Sequence, residues 1–195
     1  MSNPYKKPDR FTKMAKNQGY AARSVFKLDE VQRRFRLFHQ GQRVVDLGCY
    51  PGSWSRFVRR AIGKHGVLVG VDLERPDLED GHWIVRSVLE VTPDEILEAL
   101  GGPADVVVSD MAPRTTGNKL YDHVMQIELA DRALELASAL LVPGGAFVCK
   151  VFEGEDAPAY CDRVKARFDK LKRVRPEAVR KNSREFFVVA QGARV

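Results

Sequence analysis

Short apolar runs alternate along the chain with segments in which apolar residues recur every three or four positions. The apolar runs are typical of buried strands, and the three-to-four spacing is typical of helices with one polar face. Predicted strands cover residues 43–48, 66–73, 82–89, 104–110, 146–152, 171–175 and 186–191. Predicted helices cover residues 22–38, 53–63, 93–101, 123–141 and 158–168, the fourth of them ended by Pro143-Gly144-Gly145.

The order of these elements indicates an α/β fold. Strands that alternate with helices form βαβ units and a doubly wound, mostly parallel sheet. The last two strands leave no room for a helix between them, so we expect an antiparallel hairpin at or near the sheet edge. We predict a single domain over residues 20–195. Residues 1–19 lack periodicity and hold five Lys/Arg residues, which predicts a flexible basic arm.

The charge is distributed unevenly over the 195 residues. The whole chain has a net charge of +6, but Lys/Arg and Asp/Glu counts give +8 for residues 1–43, −10 for residues 44–162 and +8 for residues 163–195. Two basic ends that fold to the same side would form a surface suited to a polyanion such as nucleic acid. Basic ends that fold apart would be ordinary solvated surface.

Other features of the composition exclude several classes of protein. No apolar run approaches the ~18–20 residues of a membrane span, and no apolar segment follows the basic N-terminus as it would in a secretory signal. The three cysteines, Cys49, Cys149 and Cys161, are an odd number without the C-x-x-C spacing of zinc sites. We therefore expect a cytoplasmic protein with reduced thiols, no metal site and no membrane partner.

A glycine-containing loop follows the first strand and predicts a ligand site. It reads D-L-G-x-x-P-G-x-W from Asp46 to Trp54, and Gly48 and Gly52 would allow a ligand to approach the backbone. Tyr50-Pro51 stands where a dinucleotide motif needs glycine and a free N–H, which disfavours NAD and FAD.

The second strand ends in an acid that points to the same ligand. Asp72 follows Asp46 by twenty-six residues, and a carboxylate at this place can accept both hydroxyls of a ribose. The loop and the acid together suggest a nucleoside ligand without a diphosphate, and S-adenosylmethionine fits that description. Alternatively, the glycines only form a tight turn and Asp72 only caps a helix.

Three further charged residues stand at predicted strand ends or inside an apolar strand. Asp110 ends the fourth strand, Lys150 lies within Phe147–Phe152, and Glu185 begins the last strand. A lysine inside an apolar run is costly unless it is paired or reaches an opening. The alternatives are an edge strand for Lys150, a loop cap for Asp110 and a solvated surface charge for Glu185.

Five collinear motifs carry a resemblance to a known family. They are R-S-V-F-K-L-D-E with Lys27, the D-L-G-x-x-P-G-x-W loop, S-D-M-A-P, K-V-F and S-R-E. In this order they resemble the FtsJ/RrmJ family of ribose 2′-O-methyltransferases, and the resemblance covers residues 20–192. It implies an S-adenosylmethionine-dependent methyltransferase fold, Rossmann-like, whose seven-stranded sheet has one antiparallel strand.

The resemblance also implies the function and the site residues. Its bacterial members methylate a uridine in 23S large-subunit ribosomal RNA, so the expected partner is ribosomal RNA within the large subunit, bound by a monomeric enzyme. The implied catalytic residues are Lys27, Asp110, Lys150 and Glu185. The implied S-adenosylmethionine contacts are Gly48, Gly52, Trp54, Asp72 and Asp110. The basic residues expected to contact phosphates are Lys6, Lys7, Arg10, Lys13, Arg33, Arg34, Lys172 and Arg175.

The chain departs from the family pattern at three places. Ser53 replaces the second glycine of P-G-G-W. Val88 stands where the family has an aspartate that contacts the adenine amino group, unless Glu90 takes that role. The stretch over residues 114–119 differs from the Asn-rich version of the family.

The charged residues suggest how a ribose hydroxyl would be activated. Lys150 is the candidate base, although neutralising a free lysine of pKa near 10.4 costs about 4–5 kcal/mol at pH 7. If its amine stays charged, Lys150 orients the hydroxyl and Asp110 takes the proton, while Lys27 and Glu185 position Lys150 and the ribose. Two other functions stay open: the same reaction on transfer RNA or another RNA, and an RNA-binding or ribosome-assembly factor with weakened catalysis.

Overall fold

The computed structural model describes residues 9–113 and 116–194. The strands are β1 (Arg43–Leu47), β2 (Val67–Asp72), β3 (His82–Val85), β4 (Ala104–Ser109), β5 (Leu141–Phe152), β6 (Phe168–Val174) and β7 (Glu185–Ala193). The helices are α1 (Arg10–Asn17), α2 (Val25–Phe35), α3 (Ser53–Ile62), α4 (Pro93–Leu100), α5 (Lys119–Leu140) and α6 (Ala157–Lys165).

All seven strands belong to one sheet, in the order β3-β2-β1-β4-β5-β7-β6. Strands β1 to β5 pair in parallel. Strand β7 runs antiparallel to both of its neighbours, β5 and β6. The predicted α/β fold, with a mostly parallel sheet of seven strands and one antiparallel strand, is therefore confirmed. The final hairpin lies at the sheet edge as expected, with β6 as the edge strand.

Helices cover both faces of the sheet because successive strand residues point to opposite sides. On one face, side chains such as Val45 and Val107 form a core with α4, α5 and α6. On the other face, Val44 and Val106 form a second core with α2 and α3. Burial on both faces explains why the central strands are almost continuously apolar in sequence.

The boundaries around α5 and β5 differ from the sequence prediction. Helix α5 begins at Lys119 because the Asn118 side chain accepts hydrogen bonds from the backbone N–H groups of Leu120 and Tyr121. Its last residue is Leu140, and β5 begins at the next residue. Pro143-Gly144-Gly145 thus lies inside the first part of β5, where the pairing with β4 shifts register, and does not end the helix.

The prediction of a flexible arm is wrong for residues 10–17, which form α1. Asp9 caps this helix by accepting a hydrogen bond from the Thr12 backbone N–H, and Ala15 is buried. The Phe11 and Phe26 rings lie 5.6 Å apart, which joins α1 to α2. One turn of apolar contact is too short to produce a clear periodic pattern in the sequence. Residues 1–8, which include Lys6 and Lys7, lie outside the described residues. So do Arg114 and Thr115, which belong to the stretch over residues 114–119 that differs from the family pattern.

None of the helices within the described residues combines the length and the apolar character needed to cross a membrane.

Candidate active site

The sheet topology brings four charged residues together at the side of the sheet where the parallel strands have their carboxyl ends. These residues are Lys27, Asp110, Lys150 and Glu185. Asp110 follows β4 directly, and Lys150 lies near the carboxyl end of the parallel strand β5. Because β7 is antiparallel to β5, its first residue, Glu185, lies at the carboxyl end of β5, opposite Phe152. Lys27 lies in the first turn of α2, which packs on the face of the sheet beside β7.

The four side chains form two ion pairs joined by a longer contact. Lys150 Nζ lies 3.0 Å from Asp110 Oδ1 and donates a hydrogen bond of 2.5 Å to the Asp110 backbone carbonyl. Lys27 Nζ lies 2.6 Å from Glu185 Oε1 and 3.9 Å from Asp110 Oδ1. The exposed fractions of the four side chains lie between 7% and 16%. We call these four residues the tetrad.

Lys150 is a buried lysine on an interior strand. Strand β5 lies between β4 and β7, so the alternative in which Lys150 extends from an edge strand into solvent is excluded. Gln126 of α5 donates a hydrogen bond of 2.8 Å from Nε2 to the Lys150 carbonyl, which fixes the backbone at this point. Gln126 was not predicted as a site residue, because one of many polar residues in a long helix gives no sign of its partner.

A crevice of about 490 Å³ lies beside Asp110, at the carboxyl ends of β1, β2 and β4. Ligand sites of parallel α/β sheets lie at this edge, and the volume is in the usual range for a small ligand. Most of its lining is apolar, and Asp72 and Asp110 are its two acids. Its lining residues are Gly48, Tyr50, Asp72, Leu73, Ser87, Val88, Leu89, Asp110, Met111, Ala112, Pro113, Tyr121, Met125 and Leu129.

Asp72 is held in a fixed orientation at the mouth of the crevice. Its Oδ2 accepts a hydrogen bond of 2.9 Å from the Tyr50 N–H, and its Oδ1 accepts one of 2.7 Å from the Leu73 N–H. A carboxylate oxygen can accept more than one hydrogen bond. Both oxygens can therefore still accept from a pair of ligand hydroxyls.

Gly48 is required by the shape of the crevice floor. Its φ is +79°, a conformation that favours glycine. A Cβ at this position would lie 2.5 Å from Met111 Cγ, so the packing against Met111 requires glycine here. Gly48 also lines the crevice, and its contact with the cofactor stays a prediction.

Gly52 and Trp54 do not line the crevice. Gly52, with φ of +100°, is the N-cap residue of α3. Trp54 is buried, its Nε1 donates a hydrogen bond of 2.9 Å to the Ser24 carbonyl, and its ring lies 5.7 Å from the Phe187 ring. The Trp54 side chain therefore anchors α3 to α2 and β7, and only backbone atoms of this turn are left for the predicted cofactor contact.

The loop after β3 presents Ser87 and Leu89 to the crevice. Val88 also borders it, but its side chain is buried and packs in the core with Val91 and Ile96. Glu90, the alternative acid, is exposed and is not part of the lining. This part of the crevice therefore has no acidic side chain, and the Ser87 hydroxyl is its polar group.

Asp46 is a fully buried acid behind the crevice. Its Oδ2 accepts a hydrogen bond of 2.6 Å from the Ser55 hydroxyl, and its Oδ1 has no hydrogen-bond partner among the described residues. Burial raises the pKa of Asp46 to about 7, and the nearby carboxylates of Asp72 and Asp110 act in the same direction. The sequence places Asp46 in the loop motif but does not reveal this environment.

The two basic ends of the chain meet on one side of the molecule. Arg23, just before α2, donates hydrogen bonds to the Ala178 carbonyl and to Asp9. The Glu177 N–H donates a hydrogen bond of 2.8 Å to Glu30 Oε2 of α2. These contacts place residues 175–185 beside the start of α2, next to Lys27, so parts of the two basic ends lie side by side.

Comparisons with known proteins agree with this geometry. The family model described as FtsJ-like methyltransferase matches residues 20–193. A protein named ribosomal RNA large subunit methyltransferase E from Desulfatibacillum aliphaticivorans is 44% identical over 184 residues, which is 93% of this chain and 88% of the relative. The protein of the same name from Sorangium cellulosum is 46% identical over 190 residues, 96% of this chain and 89% of the relative.

Solved structures support the fold. A Plasmodium falciparum protein described as a ribosomal RNA methyltransferase superimposes with a TM-score of 0.78 at 22% identity, covering 89% of this chain and 98% of that one. The N-methyltransferase NodS from Bradyrhizobium japonicum superimposes with a TM-score of 0.56 at 12% identity, covering 87% and 97%. The sheet order, the tetrad and the match over residues 20–193 together place this chain in the FtsJ-like methyltransferase family.

Proposed function

We propose that this enzyme transfers a methyl group from S-adenosylmethionine to the ribose 2′-oxygen of a nucleotide, expected to be a uridine, in 23S large-subunit ribosomal RNA. The observation that carries the proposal is the buried Lys150–Asp110 pair at the border of the crevice. The names of the Desulfatibacillum and Sorangium relatives support the choice of RNA. The sequence-based expectations of a monomeric and cytoplasmic protein stay predictions.

The crevice has the chemistry that S-adenosylmethionine requires. The two Asp72 oxygens would accept hydrogen bonds from the ribose hydroxyls of the cofactor. Leu73 and Leu89 would pack against its adenine, because both are exposed apolar side chains on the crevice wall. When bound, the cofactor supplies an electrophilic methyl group on a sulfonium. The residues present therefore fit this group.

Recognition of the adenine differs from the family pattern in this proposal. The Val88 side chain packs in the core and cannot accept a hydrogen bond from the adenine amino group. The Ser87 hydroxyl, which also lines the crevice, would replace the acid. A neutral hydroxyl makes a weaker hydrogen bond than a carboxylate does, so apolar contacts would supply more of the adenine affinity here.

Lys150 would act directly on the ribose hydroxyl. Its amine donates a hydrogen bond of 2.5 Å to the Asp110 carbonyl and lies 3.0 Å from Asp110 Oδ1. In the neutral form its lone pair would accept the proton of the 2′-hydroxyl as the oxygen attacks the methyl carbon, and Lys150 would release that proton to solvent afterwards. In the charged form Lys150 would orient the hydroxyl and Asp110 would take the proton.

The other three residues would hold Lys150 and the ribose in place. Asp110 fixes the position of Lys150 Nζ through two oxygens. Lys27 is a second cation, and its Nζ lies 3.9 Å from Asp110 Oδ1. Glu185, 2.6 Å from Lys27 Nζ, would accept a hydrogen bond from the ribose. Positioning of this kind matters because the attacking oxygen must lie about 3 Å from the methyl carbon.

The test is methyl transfer to defined RNA particles. Purified large ribosomal subunits, small subunits and transfer RNA are each incubated with the enzyme and S-adenosylmethionine labelled in its methyl group. We expect label in large subunits and background in the other two. Label in transfer RNA would support the first alternative function. RNA binding without transfer to any of the three would support the assembly-factor alternative.

A further inference from the structure

Ser53 differs from the glycine of the family pattern, and the crevice does not explain its role. It is the first residue of α3 and follows Gly52 in the glycine-containing loop. It is buried, and it is not among the residues that line the crevice. Its Oγ accepts a hydrogen bond of 2.6 Å from the Ala22 N–H, which belongs to the segment before α2. A glycine at position 53 has no side-chain acceptor for that N–H group.

We propose that Ser53 is a positioning residue for the tetrad, because it holds the start of α2 where Lys27 can reach Glu185. The inference rests on the proposed function and deepens it, since it adds a residue outside the tetrad to the groups that align the ribose. Ser53 acts through the backbone of residues 22–27 and not through a contact of its own with the reacting atoms.

The start of α2 has no side-chain cap of its own. Ser24, the N-cap residue, has helical backbone angles, and its side chain makes no capping hydrogen bond. The first N–H groups of a helix have no acceptor within the helix and need partners elsewhere. Just before them, the Ala22 N–H finds its acceptor on α3. The entry into α2 is therefore fixed by a contact from another element.

Two successive residues of α3 hold this entry. Trp54 Nε1 donates a hydrogen bond of 2.9 Å to the Ser24 carbonyl, and the Lys27 N–H donates one of 3.0 Å to the same carbonyl. Ser53 fixes the chain two residues before that carbonyl, at Ala22. The first turn of α2, which carries Lys27, is thus tied to the start of α3 at two points.

The side chain of Lys27 has little room to compensate for a shift of its backbone. Its Nζ lies 2.6 Å from Glu185 Oε1 and 5.6 Å from the centre of the Phe187 ring. The Phe187 ring packs in turn against Trp54, with 5.7 Å between the ring centres. A displacement of about 1 Å can cost about 10²-fold in rate when groups must be aligned. Loss of the Ser53 hydroxyl should therefore slow methyl transfer through Lys27.

The experiment is a double-variant cycle on the rate of methyl transfer. Single-turnover rates on large ribosomal subunits are measured for the wild type, Ser53→Ala, Lys27→Ala and the double variant. The control is Ser138→Ala, which removes another helical hydroxyl, bonded to the Leu134 carbonyl and to Arg167, close to the start of β5. Calorimetry measures S-adenosylmethionine binding, and urea unfolding shows that each variant is folded.

We expect Ser53→Ala to slow methyl transfer about tenfold and to leave the affinity for S-adenosylmethionine at the wild-type value. In the Lys27→Ala background the same substitution should cost less than about twofold, because its effect passes through Lys27. A purely structural role would produce equal losses in both backgrounds and would overturn the proposal. A loss of cofactor affinity would also overturn it, and so would a rate equal to that of Ser138→Ala.

Hydrogen exchange gives a readout that does not depend on activity. The peptide over residues 20–28 is followed by mass spectrometry in the wild type, Ser53→Ala and Ser138→Ala. We expect its amides to exchange at least about fivefold faster in Ser53→Ala and at the wild-type rate in the control. Unchanged exchange in Ser53→Ala would overturn the proposal. A wild-type enzyme that methylates no ribose would contradict the proposed function, and the exchange rates would then decide whether Ser53 holds this turn.

Discussion

The crevice borders Asp110 of the tetrad, and a second cleft of about 580 Å³, between the start of α2 and residues 178–185, borders Lys27 and Glu185; the two differ in chemistry. The crevice is mostly apolar, with Asp72 held rigidly at its mouth. Most residues that line the cleft are polar or charged, and its Arg180 and Lys181 form no ion pair within the described part of the chain. Under the proposed function, the crevice would recognise its ligand mainly by apolar contacts and the cleft would recognise its ligand mainly by charge. Substitutions in the crevice should therefore alter cofactor binding, and substitutions in the cleft should alter RNA binding. Substitutions in the tetrad should alter the rate of the chemical step.

The largest effect is expected for Lys150→Ala. Loss of a positioned base costs about 10²- to 10⁴-fold in rate, and we expect this loss in single-turnover methyl transfer at saturating RNA. The affinity for S-adenosylmethionine should be unchanged, because Lys150 does not line the crevice. The control is Lys165→Ala on α6, whose amine pairs with Asp162 at the surface. Full activity of the Lys150 variant would refute the role of the tetrad.

The next effect concerns the free energy of unfolding, and it involves the buried Asp46 behind the crevice. Burial raises the pKa of Asp46 to about 7 from an ordinary value of 3.8. Between these two pH values the folded protein holds a proton that the unfolded chain has lost, so the contribution of Asp46 to stability falls as pH rises and is lowest above pH 7. At 1.36 kcal/mol per pH unit, the destabilisation reaches about 4 kcal/mol.

The Asp46→Asn variant tests this pH dependence. Asparagine keeps an acceptor for the Ser55 hydroxyl but carries no charge. We expect the variant to be more stable than the wild type at pH 8, by up to about 4 kcal/mol, and the difference to vanish towards pH 4. Urea unfolding at several pH values measures it. A difference that does not depend on pH would show that Asp46 does not titrate in this range.

A smaller effect is expected at the mouth of the crevice. Hydrogen bonds to a charged group contribute about 1.5–3 kcal/mol, so Asp72→Asn should raise the KM for S-adenosylmethionine about 10- to 100-fold. The KM for RNA should not change, because Asp72 is outside the cleft. Glu74→Gln, an exposed acid two residues away, is the control. An equal rise in both KM values would contradict the separation of the two sites.

The smallest effect is expected for residues 180–185, which line the cleft and whose carbonyls accept hydrogen bonds from Arg175. Arg175→Ala removes this donor, so the segment should loosen and the KM for RNA should rise about threefold. Arg175→Lys keeps the charge but loses the planar fork, and should resemble the alanine variant. Recovery by lysine would instead indicate that Arg175 binds phosphate directly.

Strand order predicts the sheet and the approach of Asp110, Lys150 and Glu185, whereas Lys27 is predicted only from the resemblance to the FtsJ/RrmJ family. Asp110 and Lys150 end neighbouring parallel strands, and a hairpin returns Glu185 to the same edge. Neither prediction requires knowledge of where individual side chains point, since the carboxyl ends of parallel strands meet at one edge.

Other features depend on packing between distant segments and could not be predicted. Trp54 lies in the core because Phe187 and the Ser24 carbonyl offer it partners there. The side chain of Val88 packs in the core because the chain turns after β3. The sequence motif does not reveal that turn. Helix α1 depends on a contact with α2, and the role of Arg175 depends on the path of the segment that follows it.

The position of the transferred methyl group is the most direct test of the proposed function. After transfer to large ribosomal subunits, the labelled RNA is hydrolysed with alkali, which cannot cleave the bond next to a 2′-O-methylated ribose. We predict that the label is recovered in alkali-resistant dinucleotides at a single position. Label recovered on a base, in ordinary mononucleotides, would contradict the assignment of Lys27, Asp110, Lys150 and Glu185 to a ribose hydroxyl.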